Sequence, residues 1–211
     1  MKKTISLSLM LMLVLTSISG ALASDTITMD STASLSFDDT GALSIEDPET
    51  ATGFGRKFAK MDIPFGLKDI PLYVQSYPAT DPDTAFTNYG IIVADGRGVE
   101  DPAWNLTARL DTVFTHEDDT DGTAGTEFNG TITLADGTGS SAANGNDPTV
   151  SGSISLPTEG ADALVMEGDG LGVGGFYAEW APEDISLTLG TDFSNIIAGA
   201  YTAEMVWTLT P

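Results

Sequence analysis

The last eleven residues, Tyr201-Thr-Ala-Glu-Met-Val-Trp-Thr-Leu-Thr-Pro211, leave the backbone little choice. Tyr201, Ala203, Met205, Trp207 and Leu209 recur at every second position, with Thr202, Glu204, Val206, Thr208 and Thr210 between them. An extended strand gathers the first set on one face, whereas a helical period of about 3.6 would scatter it. A strand is therefore predicted at 201–209. Its Trp-x-Leu triplet occurs once more, at Trp104-Asn105-Leu106, heading a second alternating run in which Trp104, Leu106, Ala108, Leu110 and Phe114 share a face.

Further strands are predicted at 72–77, 90–94, 104–114, 128–134, 150–156, 176–180 and 185–189. A hairpin of 33–37 and 43–45 closes around Asp38-Asp39-Thr40-Gly41. Turn signals punctuate the chain at Asp81-Pro82, Asp95-Gly96, Asp101-Pro102, Asp121-Gly122, Asn129-Gly130, Asp136-Gly137 and Asp147-Pro148. No window sustains a helical period; short helical turns are expected only at 183–185 and 191–197. About ten short strands with frequent turns predict an all-β fold, an antiparallel β-sandwich, immunoglobulin-like or related. The segment 137–147 carries almost nothing apolar and reads as an exposed connection.

Met1-Lys2-Lys3, an apolar stretch over 5–18 and Ala21-Leu22-Ala23 have the three regions of a secretory signal peptide, with cleavage expected after Ala23. The apolar stretch is short for a bilayer span, so no membrane span is expected once the leader is removed. The remainder, 24–211, suits one domain with a real core. Without Lys2 and Lys3 it holds six basic against 31 acidic residues, a net of −25, which makes nucleic acid a poor partner. There is no cysteine, hence no disulfide and no lipid-bearing cysteine at the cleavage site. Leu156-Pro-Thr-Glu-Gly160 departs from a sortase signal at Glu159 and has no apolar tail behind it, so it reads as a turn.

Candidate chemistry is sparse. Nucleophilic catalysis would rest on His116, the sole histidine, yet no Gly-x-Ser-x-Gly elbow exists and the residue stands beside Glu117-Asp118-Asp119, so it reads as a solvated loop residue. A glycosidase needs two facing carboxylates, and 31 acids single out no pair. Gly170-Leu-Gly-Val-Gly-Gly175 has the spacing of a dinucleotide fingerprint but precedes a strand rather than a helix. Glu117, Asp119 and Asp121 alternate before Gly122 as in the first half of a calcium loop, but Phe128 occupies the position of the bidentate glutamate; a solvated turn is the preferred reading. No enzyme activity and no cofactor are expected.

The two triplets, the Tyr-x-x-x-Met-x-Trp-x-Leu context of the second, and Val93-Ala-Asp95-Gly-Arg97-Gly98 before the first together resemble the WxL-domain surface proteins of low-GC Gram-positive bacteria. The resemblance covers about 26–211 and includes Phe65-Gly66 and the Gly-rich segment before the last strands. It implies a secreted, wall-associated protein that binds peptidoglycan non-covalently through this domain, often beside other cell-surface proteins. Trp104, Leu106, Tyr201, Trp207 and Leu209 would form the wall-binding motif, with Asp95 and Arg97 supporting it. The rival reading is a protein–protein assembly module with indirect wall attachment.

Each tryptophan is read as mainly buried, supporting a binding surface, with direct sugar stacking as the alternative. Trp207 lies mid-strand. Trp104, just after Asp101-Pro102, is expected near a strand end and so more accessible. Arg56, Lys57, Lys60 and Lys68 crowd four of the six basic residues into thirteen positions. The cluster reads first as a solvated loop, and otherwise as a docking patch for acidic wall polymer or a partner protein.

Overall fold

The computed structural model describes residues 27–30, 43–50, 58–66, 68, 74–82, 85–97, 103–117, 127–142, 146–191 and 196–211. These form an all-β, sandwich-like fold of four antiparallel sheets; the one helical element among them is a 3₁₀ turn at Pro182–Asp184.

The central sheet has the order β1 (Ile27–Asp30), β16 (Met205–Thr210), β5 (Trp104–Leu110), β12 (Ala163–Gly168), β10 (Thr149–Val150). A second sheet runs β2 (Leu43–Glu46), β4 (Tyr89–Asp95), β13 (Gly174–Trp180), β9 (Thr138–Ser141). A third runs β11 (Ser153–Pro157), β8 (Gly130–Ala135), β14 (Ile185–Leu189), β3 (Ser76–Pro78), and the smallest is β15 (Tyr201–Thr202), β6 (Phe114–His116), β7 (Glu127–Phe128). Buried side chains from all four join one hydrophobic cluster.

Alternation explains most of these strands. In β5 the pattern of buried and accessible residues has period two, with Trp104, Leu106, Ala108 and Leu110 inward. The near-continuous apolar run of β4 has another cause. Its sheet is covered on both faces: Ile91 and Val93 enter the main core, while Ile92 packs with Tyr177 and Phe58 in a second small cluster on the opposite side.

Several expectations need correction. The strand predicted over 201–209 is two strands, because the ladder stops at Ala203–Glu204, and β15 and β16 belong to different sheets. The runs 104–114, 128–134 and 150–156 likewise each divide in two. Residues 138–141 are not loop. They form edge strand β9, whose backbone pairs with β13 from Phe176 to Glu179. The first half of the hairpin predicted at 33–37 lies outside the described residues. The turn read at 157–160 is present: the Gly160 amide donates to Pro157 O at 3.0 Å and Glu159 takes a positive φ.

Candidate functional site

The two Trp-x-Leu triplets meet. β16 and β5 pair antiparallel with Leu209 opposite Leu106, Trp207 opposite Ala108 and Thr210 opposite Asn105, so the segments carrying them run side by side at the centre of one sheet. Residues 103 positions apart thus build one structural unit.

That unit faces inward. Trp104 and Trp207 are each 1% exposed, and Leu106 and Leu209 are fully buried. The expected accessibility of Trp104 is therefore wrong: its ring packs against Phe176 of the facing sheet, with centroids 5.7 Å apart. Gly168, its register partner on β12, makes room, since a Cβ there would collide with the indole. Nε1 of Trp104 is buried without a hydrogen-bond acceptor, so the residue contributes volume rather than polarity.

Asp95 and Arg97 stand where the chain leaves the second sheet for the central one. Arg97 Nε and Nη2 donate to the two carboxylate oxygens of Asp95 at 3.0 and 2.8 Å, and the Arg97 amide donates to Oδ1 at 3.1 Å. Nη2 also reaches the carbonyl of Ala103, the residue before Trp104, at 3.3 Å. The side chain of Asp95 has no exposed surface, so this bidentate pair clasps the start of β5 from inside.

Tyr201 is separated from the other motif residues by the break at Ala203–Glu204. It pairs with His116 across β15 and β6, and its ring lies edge-on to the imidazole and tilted against Phe128, both with centroids 5.0 Å apart. Its hydroxyl accepts from the Ile197 amide at 2.9 Å.

His116 is not a solvated loop residue. It is 4% exposed in β6, with Nε2 3.2 Å from Ala198 O. Gly199, with a positive φ, brings its backbone so close that a Cβ would collide with the ring. The acidic neighbours in sequence masked this burial. Glu117 is engaged as well: its amide donates to Ala200 O at 2.9 Å and its carboxylate accepts from the Ala200 amide at 3.2 Å. Asp119 and Asp121 lie outside the described residues.

Of the basic cluster, the structure describes Lys60 and Lys68. Lys60 is paired with Asp47 at 3.2 Å, Lys68 lies over the Tyr77 ring at 5.7 Å, and Arg56 and Lys57 lie outside the described residues.

Sequence reasoning missed a groove of about 670 Å³ lined by segments 61–66 and 196–203 together with Phe114, Phe128, Ile132 and Leu187. Its lining comes from segments more than a hundred residues apart, and no local pattern announces it. Leu110 and Met205, paired across β5 and β16, also line it, so the strands of the two triplets end at its edge.

No helix among the described residues is long and apolar enough to cross a membrane. No curated protein matches the chain. A family model described as "WxL domain surface cell wall-binding" matches residues 32–211, spanning the triplets, the Asp95–Arg97 clasp and the groove. The chain belongs to the WxL-domain family of surface proteins that bind the cell wall.

Proposed function

We propose that the domain, once a leader ending at Ala23 is removed, holds the protein on the wall by binding peptidoglycan non-covalently and without catalysis. The observation that carries this reading is the match of nearly the whole domain to a wall-binding family. Two structural features support it. The motif tryptophans are spent on packing, so the triplets set the shape of the domain while its surface does the binding. The sole histidine, the natural general base, is enclosed by Tyr201 and the Ala198–Gly199 backbone, out of reach of a bulky polymer.

The test is co-sedimentation of the mature chain with peptidoglycan stripped of protein and teichoic acid. Retention without release of sugars or peptides is expected. Soluble fragments in proportion to added protein would indicate a hydrolase, and failure to sediment would favour an assembly module that docks on another surface protein. Intact mass of the secreted form should show a chain beginning at Ser24.

A further inference from the structure

With the triplets sealed in the core, recognition requires another surface, and the groove at the end of their strands has the character of a ligand site. Its volume of about 670 Å³ falls inside the range of about 300–1,000 Å³ usual for such sites, and its lining is mostly apolar with a few polar groups.

Charge narrows the occupant. Among the described residues four side chains are cationic. Lys60, Arg97 and Arg109 are each paired with a carboxylate. Lys68, which lines the groove, has no carboxylate at ion-pair distance among the described residues and rests on the Tyr77 ring, in a chain with 31 acids. An ammonium so placed, beside an apolar surface, suits a ligand with an apolar body and a carboxylate end.

Shape and polarity decide between a sugar and a peptide. Sugar hydroxyls pressed against Ile63, Leu187 and Ile197 would lose their water partners and gain none. A peptide with small apolar side chains sets those against the lining, and only its backbone needs partners. Its backbone also has a mate: β15 lines the groove and is an edge strand of its sheet among the described residues, so it can pair with an added strand.

We propose that this groove binds the short peptide of the wall polymer, its terminal carboxylate at Lys68 and its apolar side chains against segments 61–66 and 196–203. The assignment rests on the wall-binding reading for the source of the peptide.

The experiment titrates the mature chain with a synthetic alanine-terminated stem pentapeptide and with its C-terminal amide, following backbone amide shifts by NMR, beside sedimentation with intact peptidoglycan and with glycan strands freed of peptide. The free acid should saturate with shifts centred on 196–203, and the amide should bind about tenfold more weakly. Lys68→Gln should remove the difference between the two. Ile197→Asp, at a position 47% exposed, should abolish binding with its melting temperature kept, while Val173→Asp, exposed and away from the groove, should change nothing. Equal binding of acid and amide, or sedimentation with bare glycan as good as with intact wall, would overturn the proposal. Sedimentation with intact wall but no peptide binding would sink the groove assignment and leave wall attachment standing. Saturable peptide binding without sedimentation would support the groove and sink the attachment reading.

Discussion

The two ends of the β5–β16 pair differ in one respect that organises the molecule. At one end Trp104, Leu106 and Leu209 are closed over, with Phe176 packed on Trp104 from the opposite sheet and Gly168 beneath it. At the other end Leu110 and Met205 reach a groove that also displays Ile197, 47% exposed. The same pair of strands thus serves as core at one end and as the edge of a concave surface at the other. The Trp-x-Leu residues are architectural, and the concave surface lies at the far end of the strands that carry them.

The largest effects should come from the closed end. Trp207→Ala and Trp104→Ala should each cost about 3–5 kcal/mol, because both remove a large ring from a site without solvent. Wall binding should fall only in step with folding. Trp104→Phe should recover most of the loss at that position, since Nε1 makes no hydrogen bond to forfeit. Thermal melting and wall sedimentation on the same variants check this. A Trp104→Ala protein that melts like the parent yet no longer sediments would break the distinction between the two ends.

Next in size is the clasp. Arg97→Ala would leave the buried Asp95 carboxylate without its bidentate partner and free the Ala103 carbonyl before Trp104, for an expected cost of about 3 kcal/mol by denaturant unfolding. Gly168→Ala should follow at about 1–3 kcal/mol, because the added methyl forces the Trp104 ring or the β12 backbone to move. Combining Gly168→Ala with Trp104→Phe should cost less than the sum of the two, since the smaller ring vacates the contested space.

Much of this was legible in the sequence, for a physical reason. Where a strand lies between core and solvent, burial writes a period of two into it, and β5, β8 and β14 all show it. Where something other than side-chain burial holds a strand, the signal fails. β9 reads Thr-Gly-Ser-Ser because an edge strand can be held by backbone hydrogen bonds alone. β12 was missed because its register shifts between Leu164 and Met166, which leaves Leu164 outside and puts Val165 and Met166 both inside. Pairing is the other limit: two triplets suggest a common role, but that Leu209 faces Leu106 is a property of the folded sheet. The candidate site divides the same way. Its aromatic residues stood out by type, but the burial of His116 and the existence of the groove depend on segment 196–203 folding back on β6.

The smallest effect sharpens the contrast by setting an open ion pair against the sealed one. Lys60 and Asp47 lie 3.2 Å apart with both side chains partly exposed, so Lys60→Ala should cost less than about 1 kcal/mol where Arg97→Ala costs several times that. Partial burial pushes the Asp47 carboxyl up, but the Glu49 amide and Lys60 outweigh it and hold the group below its ordinary value of 3.8. The hydrogen bond to Asp47 chiefly holds the Lys60 ammonium above its ordinary 10.5, against a smaller opposing effect of burial. A lowered acid contributes stability that is present above its unfolded value and lost as pH falls through the folded one, whereas a raised base contributes below its unfolded value and loses it as pH rises further. The pair should therefore stabilise the fold across the range between those limits. The melting difference between parent and Lys60→Ala should be level near neutrality, narrow as the solution is acidified below 3.8 and Asp47 takes up its proton, and narrow again above 10.5. A difference that persists undiminished in strong acid would show that Lys60 acts through the packing of its aliphatic stem rather than its charge.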